Sequence, residues 1–239
     1  MNKIKITYTV IARSIPEYSK RDGCLYNCTL GYCHESQSII RVYPVPIVGM
    51  KKWRTYRIEV ERNKRDTREE SWKLSGNSKY ENWTDFGKDV LDIGKVERSI
   101  GINAILKTNQ ILPSIEFCNN KKVSIGVVPI LNYNVYWDLN KRFVSTNQLG
   151  LFEDVEDIEL ADWATFTKVT KEFEARIEFY GNDGKHDLQY NDWGVYEWYR
   201  NFKGKYPIND AFRFLKNKKY ALVGNMHHHR NNWIVLDLY

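Results

Sequence analysis

Apolar and polar residues alternate almost from the start of the chain. Ile4, Ile6, Tyr8 and Val10 fall on one side of an extended backbone, with Lys5, Thr7 and Thr9 on the other. A period of two marks a half-buried strand, because successive side chains point to opposite faces. The pattern predicts further strands from Cys24 to about Tyr32, over Ile39–Tyr43, from Trp53 to Val60 and over Ser71–Leu74. Pro16, the polar run Glu17–Gly23, and then Pro44 and Pro46 are read as the breaks between them. Short strands packed into residues 1–75 predict a small antiparallel sheet or a partly closed barrel.

Residues 76–120 are read with a helix over Asp85–Val96, capped by Thr84 and weakened by Gly87 and Gly94, and an apolar stretch Ile102–Leu106 of either type. Residues 121–137 are strand-rich, and 140–166 read as a loop whose acidic run Glu153–Glu159 is solvated. Phe173, Ala175, Ile177 and Phe179 then alternate with charged residues in an amphipathic strand. After the turn Asn182-Asp183-Gly184 come a helix from Asp192 to about Lys203, a second short helix from Asn209 or Asp210 to Lys216, and strands at Tyr220–Val223 and Trp233–Leu238. The expected class is α+β, an N-terminal antiparallel sheet or small partly closed barrel packed against a C-terminal α/β lobe. The expected organisation is a single compact domain over 1–239. Its lobes are 1–75, a helical, loop and strand insertion at 76–165, and 166–239.

No apolar run reaches the eighteen or so residues that span a bilayer, and the strand-like start lacks an apolar leader core, so a cytoplasmic, membrane-free protein is expected. A formal net charge of +6 and a pI near 9.0 favour a polyanionic partner. Aromatic residues make up 14%, which suits either a Tyr-rich core or the stacking of bases or sugars. Cys24, Cys28, Cys33 and His34 lie close together, but without paired CxxC knuckles, and adjacent Cys33 and His34 point to opposite strand faces. Neither a metal nor a cofactor is expected. Phosphate-loop, dinucleotide-glycine, HExxH and GxSxG patterns are absent, which removes the chemistry each of them carries as a first choice.

Three constellations carry polar chemistry. The first is Ile40-Arg41-Val42-Tyr43-Pro44, followed by Asp66-Thr67-Arg68-Glu69-Glu70-Ser71. Between Lys51 and Lys73 nine basic residues, among them Lys51, Lys52 and Arg54, face five acidic ones, with Trp53, Tyr56 and Trp72 interleaved. That mixture suits phosphate clamping beside stacked bases, and equally an exposed strand pair with routine ion pairs. The second runs from Lys185-His186 to Asp192-Trp193, where the Asp is either a helix cap or a carboxylate that orients water or stabilises an oxocarbenium-like sugar. The third is Val223-Gly224-Asn225 with His227, His228 and His229, read as a C-terminal hairpin loop. Three consecutive His side chains diverge too far to serve one metal, while Asn225 with His227 or His229 can meet a base edge or sugar hydroxyls.

In this order the three constellations resemble a family of small bacterial proteins found with mobile elements and phage-defence loci. The family pattern Ile-Arg-x-Tyr-Pro is matched by Ile40–Pro44. Asp-x-Arg-x-Glu-Ser is matched by Asp66, Arg68, Glu70 and Ser71. Gly-His then Asp-Trp-Glu is matched by His186, Asp192 and Trp193, and Val-Gly-Asn with a nearby His by Val223–Asn225 and His227. Residues 76–165 match poorly. Lys185 separates Gly184 from His186, Gly194 replaces the Glu after Asp-Trp, and the cysteines some members carry before Gly-His are missing.

The resemblance implies an anti-phage DNA glycosylase that excises glucosylated hydroxymethylcytosine from double-stranded phage DNA, leaving abasic sites, with a flipped nucleotide and no obligate protein partner. On that implication Asp192 activates water or stabilises the sugar cation, His186 protonates or orients, and Lys185 is the alternative amine nucleophile. Asn225, His227, His229, Trp193 and Tyr43 hold the base and sugar, while Arg41, Arg68, Lys51, Lys52 and Arg54 contact DNA. Rival readings are a nuclease holding Mg²⁺ on Asp66, Glu70 and Asp192, and a binding module for modified nucleic acid without turnover.

Overall fold

The structure is a computed structural model that describes residues 3–19, 24–47, 49–64, 66–75, 90–139, 173–202, 204–227 and 229–239. Two β layers account for most of it, as the α+β class requires, with an N-terminal barrel and a second sheet that carries the helices.

The first layer contains β1 (Ile4–Arg13), β2 (Glu17–Ser19), β3 (Cys24–Cys33), β4 (Ser38–Pro46), β5 (Arg54–Arg62), β6 (Ser71–Leu74) and β7 (Val90–Lys95). The order β1-β3-β4-β6-β5 closes because β1 also pairs with β5. All of these pairings are antiparallel except β4 with β6. The first strand serves both edges, pairing with β5 over Ile4–Thr9 and with β3 over Tyr8–Arg13. Five strands in this order, with the third and fifth parallel, have the connectivity of an oligonucleotide/oligosaccharide-binding (OB) barrel. Ile6, Tyr8, Val10, Ile40, Val42, Tyr56 and Ile58 fill its interior.

The second layer repeats that connectivity. It contains β8 (Ile125–Pro129), β9 (Leu131–Leu139), β10 (Phe173–Gly181), β11 (Gly184–Tyr190), β12 (Tyr220–Asn225) and β13 (Trp233–Leu238), in the order β8-β12-β13-β11-β10-β9. Its two ends are successive stretches of one segment, separated by Ile130, so β8–β9 acts as a single bent first strand that meets both β12 and β10. The parallel pair is again third with fifth, β11 with β13. Between β11 and β12 lie helix α3 (Trp193–Phe202) and a 3-10 helix (Ile208–Leu215), which pack Val195, Tyr196, Tyr199, Phe212 and Leu215 onto Ala175, Ile177 and Phe179. Helices α1 (Arg98–Ile105) and α2 (Ile115–Asn120) fill the connection between the layers.

A third apolar cluster joins the layers. The register of β1 shifts between Val10 and Ala12, which turns Ile11 and Ala12 outward. With Leu30 and Ile39 they meet Ile125, Val127, Leu222 and Leu236 of the second sheet. The chain therefore buries both faces of β4, and the run Ile39-Ile40-Arg41-Val42 lacks alternation for that reason.

Several expectations are corrected. Residues Val90–Lys95 are a strand paired with β5, not the end of a helix, and the rest of the expected 85–96 helix lies outside the described residues. The 140–166 loop lies outside them too. Strand β4 continues through Pro44 to Pro46, because β6 pairs only with Arg41 and Val42 and requires no amide donor beyond them. The second sheet begins with β8, so the 125–139 strands belong with the C-terminal lobe. His186 lies in β11, a strand the sequence pattern did not mark. Among the described residues, no helix is long and apolar enough to cross a membrane.

Candidate functional site

Most of the polar residues singled out from sequence lie where the two layers meet. Arg41 is 4% exposed and points into the junction. Its Nη1 donates to Ser71 Oγ and Ser124 Oγ at 3.3 Å each, and its Nη2 donates to the Ser124 carbonyl at 3.3 Å. Ser124 in turn donates to Glu70 through its amide, at 3.1 Å, and through its hydroxyl, at 2.9 Å. A Cβ on Gly224 would lie 3.1 Å from Arg41 Nη2 and 3.0 Å from a Leu236 methyl, so the glycine of Val-Gly-Asn makes room for this guanidinium.

Beside it Arg68 forks onto Asp66, with Nε 2.9 and 3.0 Å from the two carboxylate oxygens and Nη2 2.5 Å from Oδ2, while Nη1 donates to the Asn225 carbonyl at 2.8 Å. Burial raises the Asp66 pKa, but hydrogen bonds from the Arg68 side chain and backbone more than reverse this and hold the carboxyl well below its usual range. His227 Nε2 lies 3.7 Å from Asp66 Oδ1. Asn225 is buried, donates to the Arg230 carbonyl at 3.0 Å and shapes the hairpin between β12 and β13.

A second charged centre bridges the layers further along β13. Lys52 Nζ, from the loop before β5, lies 3.0 Å from Asp192 Oδ2 and 2.8 Å from Asp237 Oδ2. The contact to Asp237 is an ion pair rather than a well-directed hydrogen bond. Burial works against the Lys52 ammonium, but the two carboxylates outweigh it and raise its pKa. Asp237, almost fully enclosed, is pushed up by burial, with Lys52 offsetting only part of the effect and Asp192 adding to it. Asp192 Oδ1 also accepts the Gly194 amide at 2.7 Å, which is the cap of α3.

These contacts correct the expected roles. Arg41, Arg68 and Lys52 have their donors committed to protein partners, so none of them is an open phosphate clamp. Asp192 is neutralised by Lys52 and does not meet His186. His186 lies near the start of β11 and Asp192 two residues beyond its end, and at about 3.3 Å per residue the four steps from His186 to Tyr190 alone span roughly 13 Å. Lys185 is exposed on the hairpin with Glu178 2.9 Å away, which raises its pKa, the opposite of what an amine nucleophile needs. Trp193 packs half-buried on the second core, and Tyr43 is half-buried on β4. Arg54 pairs with Asp92 at 2.8 Å, while Lys51 and His229 are exposed.

His186 has a different carboxylate. Its Nε2 lies 2.8 Å from Asp183 Oδ1, and its ring stacks on Phe179 at 5.1 Å. Asp183 Oδ2 accepts the Glu116 amide at 2.8 Å. Burial raises the Asp183 pKa, but that amide and the His186 ring more than compensate and hold it low. With Asp183 ionised, its carboxylate is the acceptor of this hydrogen bond and Nε2 the donor. A Cβ at Gly181 would lie 2.8 Å from Asp183 Oδ1, so the turn glycine lets the pair form.

The pair lines a cleft of about 310 Å³ between β11, α2 and the hairpin, with Asn119, Asn231, Trp233 and Ile115 among its walls. Trp233 Nε1 donates to Asn119 Oδ1 at 2.8 Å. Sequence reading missed Asp183, taken only as turn chemistry, although its spacing of three from His186 across a hairpin was a usable signal. It missed Asp237 as well, the one carboxylate in the otherwise apolar run Trp233–Leu238. No group of three or more His, Cys, Asp or Glu side chains among the described residues is placed to hold a metal ion.

Comparison with known families adds one match. A family profile described as a domain of unknown function (DUF8758) covers residues 3–89, a range that includes the five barrel strands. That is less than half of the 239 residues and stops short of the cleft. No curated protein matches the chain.

Proposed function

We propose that this protein binds nucleic acid and holds one nucleotide unit in the cleft beside the β12–β13 hairpin. The observation that carries the reading is the convergence of the Asp183–His186 pair, two Asn side chains and Trp233 around a cavity of about 310 Å³, at the lower end of ligand-pocket sizes. Carboxamides read base edges and sugar hydroxyls, and the largely buried Trp233 gives the cleft an apolar floor. A barrel and a second sheet that share OB connectivity, together with a net charge of +6, favour the same class of ligand. The test is fluorescence anisotropy with labelled single-stranded and duplex oligonucleotides at low and moderate salt. Salt-dependent binding, weakened about tenfold or more by Asn119→Ala or Asn231→Ala, is expected, each lost base contact being worth roughly 1–3 kcal/mol. Absence of binding at low salt would sink the reading.

The Asp183–His186 pair favours a second, catalytic reading, hydrolysis of the N-glycosidic bond of a modified cytosine in phage DNA. In that reaction His186 takes a proton from water as the water oxygen bonds to C1′. The C1′–N1 bond breaks, its electron pair leaves with the base, and the base collects a proton from solvent. Asp183 stabilises the imidazolium that forms. Incubation with DNA carrying plain, hydroxymethylated or glucosylated cytosine, followed by cleavage at abasic sites, separates turnover from binding. Product should vanish in His186→Ala and fall steeply in Asp183→Asn. Undiminished product in both removes this assignment.

A further inference from the structure

The outer side of α3 and the 3-10 helix carries an aromatic surface apart from the cleft, anchored where Trp198 packs on the edge of the core. Trp198, Phe202 and Tyr206 form a chain of rings with centroids 5.3 and 5.7 Å apart. Arg213 lies 6.0 Å over Trp198 and 4.5 Å over Phe214. Phe202 is 37% exposed, Tyr206 53% and Phe214 58%, whereas large aromatic rings are normally covered. Two features point to the occupant. The exposed apolar side chains are rings rather than the branched aliphatics that fill a protein-docking groove. The cation among them makes ring contacts only, with no carboxylate within ion-pair distance among the described residues, and exposed Lys205 and Lys216 add positive charge.

We infer that this surface is a stacking platform for unpaired bases of a single strand, with Arg213 meeting the phosphates or sandwiching a base. Every base has a π-face and every link a negative charge, so rings interleaved with cations suit such a strand without sequence preference. The inference rests on the nucleic-acid reading and adds to it a strand state and a second contact. The platform lies on the β11–β12 connection, at the other end of β11 from His186, so the two contacts are mutationally separable.

The test is binding of fluorescein-labelled oligothymidylate and of a duplex of equal length to the full chain, with Tyr206→Ala, Phe214→Ala and Arg213→Ala. All three sites are exposed, so the variants should fold, and thermal melts check this. Each should weaken oligothymidylate binding by roughly five- to a hundredfold and leave duplex binding nearly unchanged. Unchanged oligothymidylate affinity in the Tyr206→Ala/Phe214→Ala double variant overturns the platform while the nucleic-acid reading stands. Failure of the unaltered protein to bind either oligonucleotide overturns both. Concentration-dependent self-association that disappears in the double variant, without any effect on oligonucleotide binding, assigns the surface to a second copy of the chain and also overturns the platform.

Discussion

The two barrels share a connectivity and differ in what they do with the outer face of their second and third strands. In the N-terminal barrel that face, on β3 and β4, presents Leu30, Ile39 and Arg41, and it is sealed against the second sheet. In the C-terminal barrel the equivalent face, on β10 and β11, presents Glu174, Arg176, Glu178, Lys185 and Asp187, which pair with one another in contact with solvent. Topology is therefore not what decides where a ligand goes. The polarity of alternate strand positions decides it, and here it reserves one barrel for docking and leaves the cleft and helical surfaces of the other open. In OB barrels the second-and-third-strand face is a common oligonucleotide surface. In this chain neither copy offers it as a basic one.

The sharpest way to break the comparison is at Lys52. Lys52→Ala leaves Asp192 and Asp237 facing each other with no cation, and unfolding by urea should show a loss of about 3–5 kcal/mol. A loss below about 1 kcal/mol would mean that the junction does not depend on this bridge. A smaller effect is expected from Ile39→Ala, which empties one position of the apolar cluster between the barrels and should cost about 2–4 kcal/mol in the same measurement. Asp66 sharpens the contrast through pH. Its folded pKa is depressed, so its contribution is complete above the unfolded value near 3.9 and is lost as pH falls toward the folded one. The stability difference between the unaltered protein and Asp66→Asn should hold steady from pH 7 to 5 and shrink below about pH 4, as followed by guanidinium denaturation. Asp237 has the opposite sign, its raised pKa favouring the folded state at low pH and losing that advantage as pH rises through the folded value. The smallest effect belongs to the open face. Lys185→Ala should leave the melting temperature and any abasic-site product unchanged, and a loss of product there would restore the amine nucleophile.

Much of the fold was legible because strands that are half in water announce themselves. β10 alternates cleanly, and β1 does so from Ile4 to Val10, up to the point where its register shifts. β11 escaped because Gly184-Lys185-His186-Asp187-Leu188-Gln189-Tyr190 has too few apolar positions to set a period, its burial coming from neighbours distant in sequence. β7 escaped because Asp85 to Val96 also supports a capped helix, and only pairing with β5 decides between the two.

The site divides along the same line. Arg41, Asp66, Arg68, Glu70 and Asn225, spread over the first and third constellations, meet in a buried junction rather than on an open surface. No local signal in sequence ties Lys52 to Asp192 and Asp237, since that contact exists only once both barrels are formed. His186 pairs with Asp183, three residues before it, and not with Asp192. Asp192 reads as the carboxylate from the Asp-Trp motif, with Gly194 in place of the Glu that would follow it, while Asp183 reads only as turn chemistry.

The sealed face of the N-terminal barrel also sets a schedule. Its last barrel strand ends at Leu74, but Leu222 and Leu236, which cover Ile11, Leu30 and Ile39, are made more than a hundred residues later. At about 5–20 residues per second on the ribosome, that is roughly ten to thirty seconds during which an otherwise complete barrel carries an uncovered oily side. In this chain the second sheet has to arrive before that side is covered.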